Sequence, residues 1–481
     1  MYVYKNTFLM KNALKLALLL ITVTLISCST DSDNTSEASE VTVTTSNFSV
    51  TIDENPSEGQ VIGTVSGTTN QGSVTFSITE QTPAGAFSID AASGELKVAD
   101  ANLFEFETNP TISGTVKVAN GTISENASIT ITLIDLGNTY EGDLILKSQQ
   151  EVIDFGANNY TKVNGSLTIG DPEQAATTDI FDLSPLQGLN TISNNFWIIN
   201  NPSLVSTLGL NIDHVGGELV IAVNSSLEKV EGLNNLISVY DLILSTNEQL
   251  NDLSGLSQLI SVENKIIVFS CPQIPNLDWL NNLTTLGGSL DIRYCNSLTN
   301  IDGLSNLINL TNEFRFFLIT HNTSLKNLDG LRNLNTHIYS LEIGNNFSLT
   351  TIEGLENIDI NNTLKIHGNS ALENLNGLEK ITSLSNGLFI NDNIALNNIQ
   401  GVSNITDVQV INLHQNNSLQ NLEGLNNLQS NRELSISGNS QLTDFCSLKN
   451  FFTTSGPAVY YAGYNAYNPT EQDIIDGNCS I

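Results

Sequence analysis

The chain has 481 residues, enough for several domains that each bury a core of their own. Its formal net charge of −33 comes from 17 lysines and arginines against 50 aspartates and glutamates; such a surface repels phosphate backbones, which argues against nucleic-acid binding. Charged residues make up 14% of the chain and hydrophobic residues 40%, so most of the chain is expected to fold rather than form a disordered acidic polymer.

The first segment has the features of an export signal. Lys11 and Lys15 precede an apolar run over residues 16–26, which is too short to span a bilayer comfortably and is followed closely by Cys28. The motif LISC at residues 25–28 resembles the lipobox of bacterial lipoproteins, in which the cysteine becomes the lipid-modified N-terminus. An ordinary cleaved signal with an incidental cysteine is the alternative.

On this basis residues 1–27 are assigned to a lipoprotein signal peptide and residues 28–40 to an acidic, flexible tether. Acidic residues directly after the lipidated cysteine are similar to the surface-export signal of Bacteroidetes lipoproteins. The resemblance implies a protein that is anchored by Cys28 in the outer membrane and exposed at the cell surface. The other four cysteines lie far downstream, which agrees with a compartment that permits disulfides.

Residues 41–137 alternate apolar and polar side chains with a period of two. Runs such as VTVTTSNFSVTI and ASITITLID are separated by turn clusters such as ENPSEG and TPAGA. Several short strands at this spacing predict an antiparallel β-sandwich. The order of its landmarks, from DENPSEGQVIGTV through FSIDAASGELKV to SITITLIDL, is similar to that of a cadherin repeat.

The cadherin resemblance implies a calcium site, because that family binds Ca²⁺ with carboxylates at the repeat ends. The matching positions here are Glu54, Glu105, Glu107 and Asp135. Other ligand positions depart from the family pattern, since VSGTTNQ stands where the family has paired aspartates. Two interpretations stay open: a calcium site with a reduced set of ligands, or a spacer domain with ordinary surface acids.

A repeat of 21 to 27 residues, most often 23 or 24, runs through residues 196–448. Its pattern is L-x-I-x-x-N-x-x-L-x-x-L-x-G-L-x-x-L, and two consecutive copies read LEIGNNFSLTTIEGLENI and LKIHGNSALENLNGLEKI. Leucine and isoleucine two positions apart point to the same side of a strand. The period predicts a leucine-rich-repeat solenoid in which each coil adds one strand to a parallel sheet.

An asparagine recurs where each predicted strand ends. Its buried amide can bond backbone groups that the bend leaves unpaired, so stacked coils are expected to form an asparagine ladder. In two consecutive coils Cys271 and Cys295 replace the asparagine, as buried free thiols or as a disulfide. The predicted ladder residues are Asn201, Asn224, Asn247, Asn322, Asn346, Asn369, Asn393, Asn416 and Asn439.

The opening segment YEGDLILKSQQEVIDFGANNYTKVNGSLTI and the irregular coils resemble the receptor L-domain branch, the ligand-binding solenoid of growth-factor receptors. The solenoid is assigned to residues 138–445 and a C-terminal cap to residues 446–481, where the pattern gives way to aromatic residues. Cys446 and Cys479 bracket the cap, and we predict a disulfide between them. The expected fold class is mainly β: a cadherin-like sandwich followed by a leucine-rich-repeat solenoid.

The sequence contains no G-x-S-x-G, H-E-x-x-H or P-loop motif, and we do not expect an enzyme. Outward strand positions of successive coils should form one face that is apolar across four coils. Such a patch usually meets a partner, although the sandwich domain or a loop could instead cover it. The predicted binding face consists of Trp197, Ile199, Val220, Ile243, Ile267, Phe269 and Arg293.

We therefore expect a lipid-anchored cell-surface binding or adhesion protein, with the sandwich as a stalk and the solenoid strand face recognising a protein or other ligand. The alternative is a glycan-capture lipoprotein of a polysaccharide-degrading system. In that case exposed aromatic residues such as Trp197 and Phe269 would stack on sugar rings. The sequence does not identify the ligand.

Overall fold

The computed structural model of the chain describes residues 39–106, 108–173, 177–312 and 315–481. The chain divides into two compact units, the first ending at Leu136 and the second spanning Gly137–Ile481. Both units are built mainly from β-strands, and the second contains a large parallel sheet.

The described part of the first unit contains nine strands and one 3₁₀ turn, Ala101–Leu103. The strands are β1 (Val43–Thr45), β2 (Phe48–Asp53), β3 (Val61–Thr64), β4 (Gly67–Thr69), β5 (Thr75–Thr82), β6 (Phe87–Ile89), β7 (Glu95–Val98), β8 (Thr111–Asn120) and β9 (Ile123–Ile134). They form a sheet in the order β2-β9-β8-β5, a second in the order β3-β7-β6, and the pair β1-β4.

Alternation of side chains explains why these strands enclose a core. In β9, every second residue over residues 127–134 is buried. These side chains join Phe76 of β5, Phe87 of β6 and Leu96 of β7 in one apolar cluster, so the two larger sheets pack face to face. One pair departs from the predicted antiparallel arrangement: β2 runs parallel to β9, because the rest of the unit serves as the crossover between them.

The described part of the second unit contains twenty strands and three α-helices. They are β10 (Asn138–Glu141), β11 (Leu144–Leu146), α1 (Gln149–Gly156), β12 (Tyr160–Asn164), β13 (Leu167–Gly170), β14 (Thr191–Ile192), β15 (Phe196–Ile199), β16 (His214–Val215), β17 (Glu218–Ala222), β18 (Ser238–Ser245), β19 (Ser261–Phe269), β20 (Thr285–Leu286), β21 (Ser289–Arg293), β22 (Asn309–Leu310), β23 (Phe316–Thr320), β24 (Thr336–Gly344), β25 (Ile358–His367), β26 (Ser383–Asn391), β27 (Asp407–His414), β28 (Ser430–Ser437), α2 (Lys449–Thr454), β29 (Val459–Gly463) and α3 (Glu471–Asp476).

Short 3₁₀ turns lie between successive strands, most of them at the Gly-Leu pairs of the repeat. Their bounds are Ser184–Leu186, Glu231–Leu233, Ser254–Leu256, Asp278–Leu280, Asp302–Leu304, Asp329–Leu331, Glu353–Leu355, Gln400–Val402 and Cys446–Leu448. Where the turn contains a Gly-Leu pair, the glycine permits a close approach of the preceding coil. A Cβ atom at Gly303 would lie 1.7 Å from the carbonyl oxygen of Leu277 in the preceding coil, so no side chain fits there.

The strands of the main sheet are parallel and follow one another in chain order. The order is β11-β13-β15-β17-β18-β19-β21-β23-β24-β25-β26-β27-β28-β29. Leu341 of β24 pairs with Leu364 of β25, which pairs with Leu388 of β26, so one repeat separates neighbouring strands. Successive coils are therefore stacked directly on one another, and we call this arrangement the coil stack.

The repeated leucines and isoleucines form one continuous apolar core. All of the repeat's apolar positions in the coil that begins with β25 are at most 1% exposed, and the same positions are buried in its neighbours. A single coil has no partner for its own apolar interior, so each depends on the coils on either side. The buried positions of this coil are Leu364, Ile366, Leu372, Leu375, Leu378 and Ile381.

The predicted asparagine ladder is confirmed: every predicted ladder asparagine is fully buried. At Asn369 the side-chain oxygen accepts the backbone N–H of Asn346 at 3.1 Å, and the side-chain nitrogen donates to the carbonyl oxygen of Ile343 at 3.0 Å. Each amide thus satisfies a donor and an acceptor of the preceding coil. The same pair of bonds recurs along the stack, for example at Asn346, Asn393 and Asn416.

The sheet and the ladder extend beyond residue 445, into the segment predicted as a cap. Strand β29 pairs in parallel with β28, and Asn465 accepts the backbone N–H of Asn439 at 3.0 Å. Asn468 then accepts the N–H of Asn465 and ends the ladder. The segment is thus a last coil, which the sequence pattern conceals because Tyr460 and Ala462 stand where the preceding strand has Leu434 and Ile436.

The predicted disulfide between Cys446 and Cys479 is present, with a sequence separation of 33 residues. Closing a loop of that length stabilises a fold by about 3–4 kcal/mol on the chain-entropy account. The bond ties the end of the chain to the start of the last coil. Terminal coils lack a neighbour on one side, so a covalent link there opposes fraying.

Cys271 and Cys295 are free and fully buried in the ladder. The side-chain nitrogen of Asn247 donates to the Cys271 sulfur at 4.0 Å, and the backbone N–H of Cys271 donates to the sulfur of Cys295. Burial raises the pKa of the Cys271 thiol to about 11 and that of Cys295 to about 12. The two sulfurs therefore replace amide oxygens as weak acceptors and remain protonated.

Replacing one ladder amide tests its contribution to stability. In Asn369→Ala, the N–H of Asn346 and the carbonyl of Ile343 lose their partners inside a buried bend. We expect the free energy of unfolding in urea to fall by about 2–5 kcal/mol, since each buried unsatisfied group costs about 1–3 kcal/mol. Asn376→Ala removes an exposed asparagine of the same coil and should change the free energy of unfolding by less than about 0.5 kcal/mol. Equal effects of the two substitutions would contradict the ladder.

The ladder cysteines should resist alkylation in the folded chain. Only the thiolate reacts, and burial both raises the thiol pKa and blocks access. At pH 8 we expect no iodoacetamide modification of the peptides containing Cys271 and Cys295 until denaturant is added, and complete modification afterwards without a reducing agent. Rapid labelling of the native chain, or a linked pair of these two peptides in the mass spectrum, would show that the assignment is wrong.

Candidate binding face

Parallel register aligns most of the predicted face residues in one column of the coil stack. Trp197 of β15 pairs with Val220 of β17, Val220 with Ile243 of β18, and Ile243 with Ile267 of β19. Each of these side chains is partly exposed, whereas its neighbours along the strand are buried. Side chains on a strand alternate between faces, so the leucines and isoleucines that fill the core leave these four pointing outward.

A second column lies two residues further along the same strands. Ile199 pairs with Ala222, Ala222 with Ser245, and Ser245 with Phe269. Ile199 and Phe269 are partly exposed, and the smaller residues between them leave the first column accessible. Trp197, Ile199, Val220, Ile243 and Ile267 are called the apolar face from here on.

The surface changes character at β21, where the first column continues with Asp291 and the second with Arg293. The two side chains form a bidentate pair, with both N–O distances 2.6 Å. The hydrogen bond to Asp291 raises the pKa of Arg293 further, so the guanidinium stays charged. Its Cζ atom lies 5.1 Å from the centre of the Phe269 ring, a cation–π contact.

Two aromatic residues that the sequence reasoning did not select complete this side of the face. Tyr294 meets Phe269 edge to face, with ring centroids 5.5 Å apart, and stacks on His321 at 4.4 Å. The His321 Nε2 atom lies 3.0 Å from the side-chain nitrogen of Asn345 in the next coil. Phe269, Tyr294 and His321 are called the aromatic edge from here on.

The aromatic edge follows from a backbone feature repeated in every coil. The residue immediately before each ladder position is left-handed, with φ between 52° and 74°, and in every one of these coils except the last its N–H donates to the next coil, as Tyr294 does to Thr320. No single side chain is required there, which is why the sequence pattern did not reveal it. The residues at this position are Asn200, Val223, Thr246, Ser270, Tyr294, His321, Asn345, Gly368, Asp392, Gln415, Gly438 and Tyr464.

A depression of about 300 Å³ lies farther along the sheet and is lined by Phe316, Leu318 and Lys365 among others. Glu342 stands in its wall, with its carboxylate 3.1 Å from Nε2 of His367 and 3.5 Å from Nζ of Lys365. The hydrogen bond from His367 is the main cause that lowers the pKa of Glu342. This carboxylate is thus held ionised by its neighbours rather than set up to carry a proton near neutral pH.

Among the calcium candidates that the structure describes, Glu54, Glu105 and Asp135 are not grouped closely enough to hold a metal ion. Both oxygens of the Glu54 carboxylate are engaged, one by the backbone N–H of Phe106 at 2.9 Å and the other by that of Leu136 at 2.7 Å. Glu54 is buried, and Glu105 and Asp135 are exposed. Glu107 lies outside the described residues. Glu54 thus links the backbone at Phe106 and Leu136, and both of its carboxylate oxygens already accept a hydrogen bond.

Two further observations concern chemistry and membranes. Among residues 39–481, apart from the six undescribed positions, no three histidine, cysteine or acidic side chains are grouped closely enough to hold a metal ion. In the same part of the chain, no helix is both long and apolar enough to cross a membrane. Cys28, the predicted lipidation site, lies outside the described residues.

No protein-family model matches the chain, and neither does any curated protein. The solved structures that it resembles include "Protocadherin Gamma B2 extracellular cadherin domains 1-5" (22% identity, 20% of this chain, TM-score 0.19), the human desmocollin-1 ectodomain (20%, 21%, 0.18) and Drosophila N-cadherin EC1-4 (19%, 21%, 0.18). The match spans 20% to 28% of those proteins.

Proposed function

We propose that the chain is an extracellular binding or adhesion protein and that the apolar face is its recognition surface. In this proposal the second unit is a leucine-rich-repeat solenoid of the receptor L-domain kind. The one-repeat step between paired strands and the asparagine ladder support that identification. The observation that carries the proposal is the register-paired column of partly exposed apolar residues, from Trp197 to Ile267.

The apolar face is short and rigid, and both properties suit the binding of a partner with an apolar patch of similar length. Neighbouring strands lie about 4.8 Å apart, so four paired residues extend over about 14 Å. The side chains stand on a sheet whose inner face is fully packed, so little conformational freedom is lost when a ligand binds. A tryptophan at one end of such a patch is the residue type most often found to dominate binding energy.

The proposal also includes anchoring by Cys28 at the outer membrane with exposure at the cell surface. It rests on the lipobox-like LISC motif and the acidic tether. The Cys446–Cys479 disulfide supports an oxidising compartment. No catalytic step is proposed, because the two free thiols are buried and protonated and Glu342 is paired with His367 and Lys365.

A glycan-capture role is the second candidate. The aromatic edge favours it, because aromatic rings with polar side chains around them are suited to sugars. The column of apolar residues favours a protein partner instead, since it presents few polar groups. The two candidates thus place their ligands on different parts of the same surface.

Substitution of the apolar face tests the binding proposal. The full chain is displayed on cells, its exposure is checked by protease treatment of intact cells, and binding to arrayed extracellular proteins and glycans is measured. We expect Trp197→Ala to weaken the strongest interaction by about 30-fold, because truncation of a dominant interface residue costs about 2 kcal/mol or more. Ile243→Ser, in the centre of the column, should weaken the same interaction.

Ile260→Ser is the matched control. Ile260 is 47% exposed and directly precedes β19, off the apolar face, so binding should stay unchanged. If Trp197→Ala lowers the melting temperature but leaves every interaction intact, the apolar face is internal packing and the proposal fails. Chain that resists protease on intact cells but becomes cleavable after lysis would contradict surface exposure.

A further inference from the structure

We propose that a cleft beside the aromatic edge binds a neutral carbohydrate chain. The cleft has a volume of about 580 Å³ and opens where β18, β19 and β21 end. Its walls include Phe269 and Tyr294, with Glu248, Gln249, Gln273 and Asn296 from the loops that follow the three strands. The proposal rests on the binding role proposed above but assigns the ligand to a different part of the surface.

The two rings form a fixed corner. Their planes meet at 78°, and Tyr294 is 42% exposed. Arg293 lies over Phe269, and His321 stacks on Tyr294 with an interplanar angle of 21°, so each ring is also fixed by a further contact. The C–H groups on one face of a pyranose ring are apolar and suit the electron-rich face of an aromatic ring. A corner that is already in place orders little on binding.

The polar side chains around the corner have few internal partners and are thus available to a ligand. Within the described residues, no hydrogen bond or ion pair engages the side chains of Glu248, Gln249 or Gln273, and all three are exposed. Asn296 accepts only a long hydrogen bond, 3.5 Å, from Thr323. Each amide offers a donor beside an acceptor, and the carboxylate of Glu248 offers two acceptor oxygens, so together they can bond both the donors and the acceptors of vicinal hydroxyl groups.

The charges around the cleft narrow the class of possible ligands further. Glu248 is the only charged group among the residues that line the cleft, and nearby Arg293 is already neutralised by Asp291. Together with the net charge of −33, this disfavours acidic polysaccharides and nucleic acids. A protein partner would find the apolar face better suited, since the cleft is lined by hydrogen-bonding groups. A neutral oligosaccharide matches both the rings and the amides.

Affinity electrophoresis tests the proposal directly. The purified full chain is run in native gels containing soluble neutral polysaccharides, namely glucans, mannans, galactans and xylans, and a gel with an acidic polysaccharide is run alongside. We expect retardation by at least one neutral polysaccharide and none by the acidic one. Tyr294→Ala should weaken that interaction by roughly tenfold, and Tyr294→Phe should retain it because the ring is kept. Gln273→Ala, at an exposed loop position, should weaken it without affecting folding.

Tyr464→Ala is the matched control, since Tyr464 occupies the same position before the ladder in the last coil and is 84% exposed. It should leave retardation unchanged. No retardation in any neutral gel, retardation by the acidic polysaccharide alone, or equal loss in Tyr464→Ala would overturn the carbohydrate site. If array binding still responds to Trp197→Ala in that case, the binding role stands and only the cleft assignment fails. If Tyr294→Ala abolished binding to a protein partner and the unsubstituted chain bound no sugar, the carbohydrate proposal would also be overturned.

Discussion

In most coils an asparagine side chain accepts one backbone N–H of the preceding coil and donates to one of its carbonyl groups, as Asn369 does with Asn346 and Ile343. The chain turns out of its strand at this point, and the turn would otherwise leave both groups buried without partners. Because the bond joins equivalent positions of adjacent coils, it also fixes their register. The parallel sheet, the shared apolar core and the alignment of outward residues all follow from that register.

In the second unit, the residues that build the fold are therefore different from the residues that can contact a ligand. The inward leucines, the ladder asparagines and glycines such as Gly303 are constrained by packing. Packing does not constrain the outward strand positions or the left-handed position before the ladder. At these positions the side chains change from coil to coil. Trp197 and Ile243 give one region an apolar character, whereas Tyr294 and its neighbours give the next a mixed one.

The period alone was enough to predict the stacked coils, the ladder and the outward direction of Trp197, because each depends on spacing in the chain. The Cys446–Cys479 disulfide was likewise accessible from position. The aromatic edge could not be predicted from the sequence, because nothing in the local pattern indicates that Tyr294 and His321, which belong to different coils, stack on each other. The last strand was also hidden, because Tyr460 and Ala462 occupy positions that leucine or isoleucine fills elsewhere. Contacts between coils carry this information, and a repeat consensus does not contain it.

Backbone hydrogen exchange of the native chain tests the ladder most directly. The N–H groups of Asn346, Asn369 and Asn393 lie in bends, but each donates to the buried amide oxygen of the next coil. They should therefore exchange as slowly as the amides of the adjoining strands, for example that of Leu364. Exchange at the rate of exposed loop amides would mean that these asparagines do not link the coils, and the register on which both binding surfaces depend would have no basis.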